Sequence, residues 1–159
     1  MERVITYFKE NKFLIGLIVL GGMLRLFHID FQSAWLDELH TLNESNPSFG
    51  FLDVYKSVFE GEQMPVLYVY IVYFLFKIFG YSVLVLRIFS AVLGIISIYT
   101  TYLLGKVLFN KKVGLISALF IVVNIFHISY SQEGRPYIFL YLFTTVSFYY
   151  LIKFIKLPT

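Results

Sequence analysis

Two short polar segments of this chain carry the residue types that acid–base and phosphate chemistry need. The first is Trp35-Leu36-Asp37-Glu38, and the second runs from Tyr130 to Tyr137 and contains Glu133 and Arg135. A carboxylate beside another carboxylate in a partly dry pocket has its proton affinity raised toward that of a general base. An arginine presents a fixed fork of donors that suits phosphate. The sequence therefore predicts a base in one segment and an anion site in the other.

Each segment also has a structural interpretation. Asp37 and Glu38 could cap a helix, because carboxylates accept hydrogen bonds from first-turn N–H groups and complement the helix dipole. Glu133 and Arg135 could form a polar turn before a helix that Pro136 initiates. In the functional interpretation, Glu133 holds the arginine or binds a cation. Spacing alone leaves both interpretations open.

Arg87 and Arg25 lie near the ends of apolar stretches. Long basic side chains at such places usually reach toward the lipid headgroups, so snorkelling is the default explanation for both. Arg87 is nevertheless retained as a candidate for phosphate binding.

The three histidines, His28, His40 and His127, show no metal-ligand spacing, and a zinc site is not predicted. A divalent cation, held by Glu133 or Asp37, is the only cofactor that the carboxylates suggest. The chain has neither a glycine-rich phosphate loop nor a serine or cysteine nucleophile motif. A bound soluble nucleotide is therefore not expected.

The composition is that of a membrane protein. Hydrophobic residues make up 58% of the 159 residues, charged residues 14%, and the mean hydropathy is +0.76. The net charge is +3, but the basic residues form short clusters between apolar stretches, as in positive-inside loops. No basic stripe is long enough for a nucleic acid partner. The chain has no cysteine, which excludes disulfides.

The apolar stretches predict an all-α, polytopic fold with about four transmembrane helices. About 20 apolar residues cross the hydrocarbon core, and four stretches approach that length: 13–29, 84–109, 113–129 and 137–155. The first is interpreted as an uncleaved span. A fifth stretch, 64–80, is short and contains Pro65 and Lys77.

The distribution of basic residues indicates that 64–80 does not cross. Eight of the 13 basic residues then face the cytoplasm: Arg3, Lys9, Lys12, Lys106, Lys111, Lys112, Lys153 and Lys156. We therefore expect 64–80 to be an interfacial or re-entrant helix in the outer leaflet. This topology places both polar segments on the outer side of the membrane.

The outer loop, 30–82, is expected to hold two or three interfacial helices within a single membrane domain, 1–159. Residues 51, 52, 55, 58 and 59 form one apolar stripe at helical spacing, which is typical of a helix lying on a membrane. A shorter helix, about 38–45, is predicted before it.

The order of motifs resembles the N-terminal half of GT-C glycosyltransferases, and most of all the bacterial dolichyl-phosphate-mannose protein mannosyltransferase-like group. The resemblance covers about residues 24–150. Its motifs are Arg25-Leu26, Trp35-Leu36-Asp37-Glu38, Pro65-x-Leu67-Tyr68, Leu86-Arg87-x-x-Ser90-Ala91 and Phe126-His127-x-x-Tyr130-Ser131-Gln132-Glu133-x-Arg135-x-Tyr137.

The resemblance implies inverting transfer of a sugar from a polyprenyl-phosphate donor to a lipid, glycan or protein acceptor outside the cytoplasm. It assigns the general base to Asp37 with Glu38 beside it, and the donor-phosphate site to Glu133 and Arg135. The chain has Met64-Pro65-Val66 where the family commonly has His-Pro-Pro. Family members have several hundred residues, so an N-terminal module is expected.

Two other functions compete with this one. A non-catalytic fragment or subunit of a larger membrane assembly would keep the motifs as remnants. A lipid or solute transporter would place its charges along the middle of spans, beside broken helices.

Overall fold

The computed structural model describes residues 11–156, and helices account for most of that range. They are α1 (Lys12–Leu26), α2 (Leu36–Glu44), α3 (Phe51–Glu60), α4 (Val66–Phe79), α5 (Val83–Leu108), α6 (Lys111–Val123), α7 (Ile125–Gln132) and α8 (Tyr137–Ile155). Residues 11–156 contain no strand. The all-α prediction is confirmed for this part of the chain. Arg3 and Lys9 lie outside it.

Helix α5 is the central helix, and it packs against α1, α6, α7 and α8. One apolar core, which includes Tyr68 and Phe76, lies among the helices of the outer loop and the start of α5. A second core, which includes Leu17, Ile98 and Val122, joins α1, α5 and α6. Close helix packing of this kind holds membrane bundles together, because lipid is as apolar as the helix surfaces. The two cores join the outer loop and the bundle through α5.

The helices of the outer loop match the predictions closely. The stretch 38–45 corresponds to α2, and 51–60 is α3. Phe51, Leu52, Tyr55 and Phe59 of the predicted stripe are exposed, as expected for a membrane-facing side. Val58 was placed on that stripe, but it is buried because it packs into the core.

The predicted spans are only partly matched. Helices α5 and α8 are long and apolar enough to cross a membrane and agree with 84–109 and 137–155. The stretch 113–129, predicted as one crossing, consists of two helices: α6 and α7 are bent by 60° at a break that contains Asn124. Among the described residues, two helices are long enough to span, or three if α6 and α7 count as one span. Helix α1 has 15 residues and α4 has 14.

Asn124 explains the break. Its side-chain Oδ1 accepts a hydrogen bond from the backbone N–H of His127 at 2.8 Å, so Asn124 is the N-cap of α7. Capping of this kind starts a new helix where an apolar stretch would otherwise continue the old one. The break turns α7 and the polar residues after it toward the outer loop.

Arg25 does not snorkel, because its side chain is fully buried at this break. One terminal nitrogen donates to the carbonyl of Gly21, and the other donates to the carbonyl of Ile121, both at 2.9 Å. The second nitrogen also lies 2.9 Å from Nδ1 of His127. The last carbonyls of a helix lack partners within the helix. Arg25 therefore stabilises the end of α6 and joins it to α7.

Candidate functional site

Glu38 and Arg87 form a buried ion pair at one end of the bundle. The Nε and Nη2 atoms of Arg87 donate to Oε1 and Oε2 of Glu38 at 2.9 and 2.7 Å. The side chains are 1% and 3% exposed. A two-pronged pair of this type is both strong and specific in geometry. It joins the start of α2 to the first turns of α5.

Glu38 has two further partners in the backbone. The N–H of Gly134 donates to Oε1 at 2.8 Å, and the N–H of Trp35 donates to Oε2 at 3.2 Å. Burial raises the pKa of Glu38, but the hydrogen bonds from Arg87, Gly134 and Trp35 outweigh it and lower the pKa overall. Glu38 is therefore an ionised carboxylate whose oxygens are already occupied.

Arg87 is also fully engaged by the protein. Besides Glu38, its terminal nitrogens donate to the backbone carbonyls of Ile29, Gln32 and Ser33 at 2.8–3.2 Å. An arginine has five N–H donors, and the two carboxylate and three carbonyl contacts use all of them. This geometry assigns Arg87 to holding the outer loop, which differs from the snorkelling expected from its position.

Asp37 lies beside this pair but points to a different environment. It is exposed and lines a cavity of about 240 Å³ between the two polar segments. The cavity is lined by Trp35, Asp37, Glu38, Tyr130, Glu133, Arg135 and Tyr137. The structure thus places four of the five predicted site residues on one cavity wall. Arg87 lies behind it, on a neighbouring cavity of about 550 Å³.

Arg135 connects the two segments directly. Its Nη1 donates to the backbone carbonyl of Asp37, 98 residues away, at 2.9 Å. The same nitrogen donates to Oε2 of Glu62 at 2.7 Å and lies 3.4 Å from the sulfur of Met64. Glu62 was not predicted, since nothing in its local sequence distinguishes it from other loop carboxylates.

Glu133 lies on the boundary between the two cavities. It lines both, as does Trp35. Burial raises the pKa of Glu133, and the charges of Glu38 and Asp37 raise it further, while Arg135 and Arg87 lower it. Glu133 therefore takes up a proton more readily than an ordinary glutamate.

The segment that carries Glu133 is anchored by Gln132 and Gly134. The side-chain amide of Gln132 donates to the carbonyls of Leu24, Arg25 and Phe27 at 2.8–3.3 Å. An added Cβ at Gly134 would collide with the side chain of Leu86. The resemblance contained Gln132 but not Gly134, and no local pattern predicted the contacts of either residue.

Within residues 11–156, no group of three or more histidine and carboxylate side chains is arranged to hold a metal ion. Asp37 and Glu133 share the smaller cavity as a pair of carboxylates only. Structural zinc and calcium sites take more protein ligands than two carboxylates, whereas Mg²⁺ is commonly held by one or two carboxylates together with substrate phosphates. Asp37 and Glu133 therefore do not form a zinc or calcium site by themselves, and they are the residues that would hold a divalent cation together with a phosphate.

Comparison with known protein families gives a match to the model described as dolichyl-phosphate-mannose-protein mannosyltransferase, over residues 63–158. This match covers more than half of the chain. The chain belongs to the dolichyl-phosphate-mannose-protein mannosyltransferase family. No curated protein and no solved structure matches it.

Membership of the mannosyltransferase family confirms the resemblance drawn from the motifs. It supports a glycosyltransferase of the GT-C type in a membrane, and it implies a polyprenyl-phosphate sugar donor and an acceptor. The matched residues include Arg87, Glu133 and Arg135. They begin after Asp37 and Glu38, so the role of the acidic pair depends on its geometry.

Proposed function

We propose that this mannosyltransferase family member transfers a sugar from a polyprenyl-phosphate donor to an acceptor hydroxyl at the outer face of the membrane. The observation that carries the proposal is that Asp37 and Arg135 meet at one cavity, although 98 residues separate them. A base and a phosphate-binding cation are the two groups that such a transfer needs.

We assign the general base to Asp37 alone. It lines the cavity and is exposed, whereas the oxygens of Glu38 are occupied by Arg87, Gly134 and Trp35. Asp37 takes the proton of the acceptor hydroxyl as its oxygen attacks the anomeric carbon. The bond from that carbon to the phosphate oxygen breaks, and the phosphate leaves with the electron pair. One displacement inverts the anomeric configuration.

Arg135 is assigned to the departing phosphate, since its guanidinium lies on the cavity wall. Polyprenyl phosphate is a good leaving group, so stabilising its charge matters more than protonating it. We reassign Glu38 and Arg87 from the chemistry to holding the two segments in place. Glu133, whose pKa is raised, lies where the sugar or the acceptor would pass between the two cavities.

The aromatic wall of the cavity suits a sugar ring. Trp35, Tyr130 and Tyr137 line it, and the rings of Tyr130 and Tyr137 lie 4.9 Å apart. Aromatic side chains offer apolar faces with polar tips, which matches the alternating C–H and hydroxyl groups of a pyranose. The larger cavity, which shares Trp35 and Glu133, is the proposed route of the acceptor.

The orientation follows from the basic residues. Lys156 donates to the carbonyls of Val107 and Leu108 at the C-terminal end of α5, whereas Arg87 and the cavity lie at its N-terminal end. Lysines at the end opposite the cavity favour a cytoplasmic position for that end. The site then faces outward in a bacterial-type plasma membrane.

The experiment is a transfer assay on membranes that contain the protein, with a polyprenyl-phosphate-linked sugar as donor. Asp37→Asn should lower kcat about 10²–10⁴-fold, the usual contribution of a general base. Asp53→Asn is the matched control, because Asp53 is an exposed carboxylate of α3 that does not line the cavity. Transfer by Asp37→Asn at the control rate would contradict the assignment of the base. No transfer by the unmodified protein from any such donor would contradict the function.

A further inference from the structure

Glu62 holds Arg135 through the same nitrogen that contacts the backbone of Asp37. Oε2 of Glu62 lies 2.7 Å from Nη1 of Arg135, 73 residues along the chain. The Glu62 side chain is 31% exposed, and that of Arg135 is 11% exposed. Burial lowers the pKa of Arg135, but the ion pair with Glu62 raises it above its ordinary value. The pair thus keeps the arginine charged where it is partly dry.

Glu62 itself is held by a buried carboxylate. The N–H of Glu62 donates to Oε1 of Glu44 at 2.7 Å, and Glu44 is buried at the end of α2. Gly61 is required next to this contact, since an added Cβ would collide with the Glu44 carboxylate. The N–H of Gln63 is fixed on the carbonyl of Val58. The backbone N–H groups of Glu62 and Gln63 are therefore both hydrogen-bonded in the loop between α3 and α4, and Glu62 has a defined position.

The fixed position of Glu62 restricts how the guanidinium of Arg135 can rotate. Nη1 is occupied by Glu62 and by the carbonyl of Asp37. The same guanidinium also interacts with Tyr137 on the cavity wall. Fixing one nitrogen of a planar guanidinium reduces the orientations that its other donors can take. Arg135 is held in this way while it lines the cavity.

We propose that Glu62 is a positioning residue that orients Arg135 toward the phosphate of the polyprenyl-phosphate donor. This inference rests on the proposed function, because it presupposes that Arg135 binds the donor phosphate. Glu62 does not line the cavity, so the proposal gives it no direct contact with the substrate. Glu62 therefore acts through Arg135. It holds in one conformation a charged side chain that would otherwise adopt several rotamers.

The first test separates donor binding from turnover. Glu62→Gln should raise the KM for the polyprenyl-phosphate sugar about ten- to a hundredfold, as expected when one charge-assisted hydrogen bond is lost, with a smaller change in kcat. Glu62→Asp should recover part of the loss. Glu60→Gln is the matched control, because Glu60 is an exposed carboxylate two residues away that does not line the cavity. A donor KM of Glu62→Gln equal to that of the control would overturn the proposal.

A double-mutant cycle tests whether Glu62 acts through Arg135. If it does, Glu62→Gln adds little to Arg135→Lys, because groups in direct contact are not additive. Additive losses in the two variants would overturn the positioning role.

A chemical readout keeps the proposal testable even if no transfer is detected. Phenylglyoxal modifies accessible guanidinium groups, and Arg25 and Arg87 are buried. Peptide mapping of detergent-purified protein should show faster modification of Arg135 in Glu62→Gln than in Glu60→Gln. Equal rates would refute the contact-based argument, whereas a rate difference without sugar transfer would refute only the proposed function.

Discussion

Glu38 and Arg87 lie 49 residues apart in the chain, yet their side chains form two hydrogen bonds with each other and are almost fully buried. The Glu38 carboxylate also accepts the N–H of Gly134, so three separate parts of the chain meet at one carboxylate. This pair fixes the wall from which Asp37 and Arg135 reach the cavity. The charged residues Glu38 and Arg87 therefore contribute to the site by stabilising the structure around it.

Breaking this pair should destabilise the protein. Glu38→Gln leaves the Arg87 guanidinium buried without its counter-charge, which costs about 3–5 kcal/mol in known buried pairs. Asp53→Asn, which removes one partner of an exposed pair with Lys56, should cost less than about 1 kcal/mol. Thermal unfolding of the detergent-purified variants measures both. Equal midpoints for Glu38→Gln and Asp53→Asn would contradict the structural role of Glu38.

Stability should fall in acid because of Glu38. Its folded-state pKa is lowered, so its contribution is complete above the ordinary value of 4.5 and is lost as the pH falls through the folded pKa. The unfolding midpoint of the unmodified protein should therefore decrease below about pH 4.5. Glu38→Gln should show a shallower decrease, since residue 38 no longer titrates. Parallel pH profiles would show that other carboxylates dominate acid unfolding.

Glu133 should have the opposite effect. Its pKa is raised by burial and by neighbouring carboxylates, so its ionised form is disfavoured in the fold, and the stability deficit appears as the pH rises through the folded pKa. Glu133→Gln should raise the unfolding midpoint at pH 7 by about 1–3 °C. The gain should disappear in acid, where Glu133 is protonated. Glu60→Gln serves as the control, and a gain that does not depend on pH would contradict this explanation.

Gly134 should not tolerate a side chain. In Gly134→Ala the new methyl group meets the buried Leu86 side chain, and relieving that overlap costs about 1–3 kcal/mol. The shift would also weaken the hydrogen bond to Glu38. Gly16→Ala is the control: Gly16 lies within α1 with open space around it, so alanine there should stabilise by about 0.5–1 kcal/mol. Unfolding midpoints of the two variants should therefore move in opposite directions.

Most helices could be predicted from the sequence, because their patterns are local. The stripe of 51–60 and the long apolar stretches of α5 and α8 are each contained in one segment. The break in α6–α7 was missed, although Asn124 within an apolar stretch was its signal, since asparagine often caps a new helix. The mean hydropathy of 113–129 is dominated by its apolar residues and hides the single asparagine, so the stretch looked continuous.

The candidate site residues could be named from their motifs, but their partners could not. Arg25 and Arg87 each looked like a snorkelling side chain, because the partners that hold them across the fold lie about 50 to 100 positions away. Glu62 was missed for the same reason, since its partner Arg135 lies 73 residues later. Hydropathy predicts how deep a charged residue lies in the membrane. Its counter-charge comes from a distant part of the chain and is known only from the fold.

The burial of Arg25 constrains the order in which the bundle is assembled. Its acceptor carbonyl on Ile121 is synthesised 96 residues later, and its contact with His127 comes 102 residues later. A newly inserted α1 therefore carries a charge without these two partners, and such a charge stays near water or headgroups until they arrive. The contacts of Arg25 with α6 and α7 form only after both helices have been synthesised. In a chain stalled before Ile121, Arg25 would lack both of these partners.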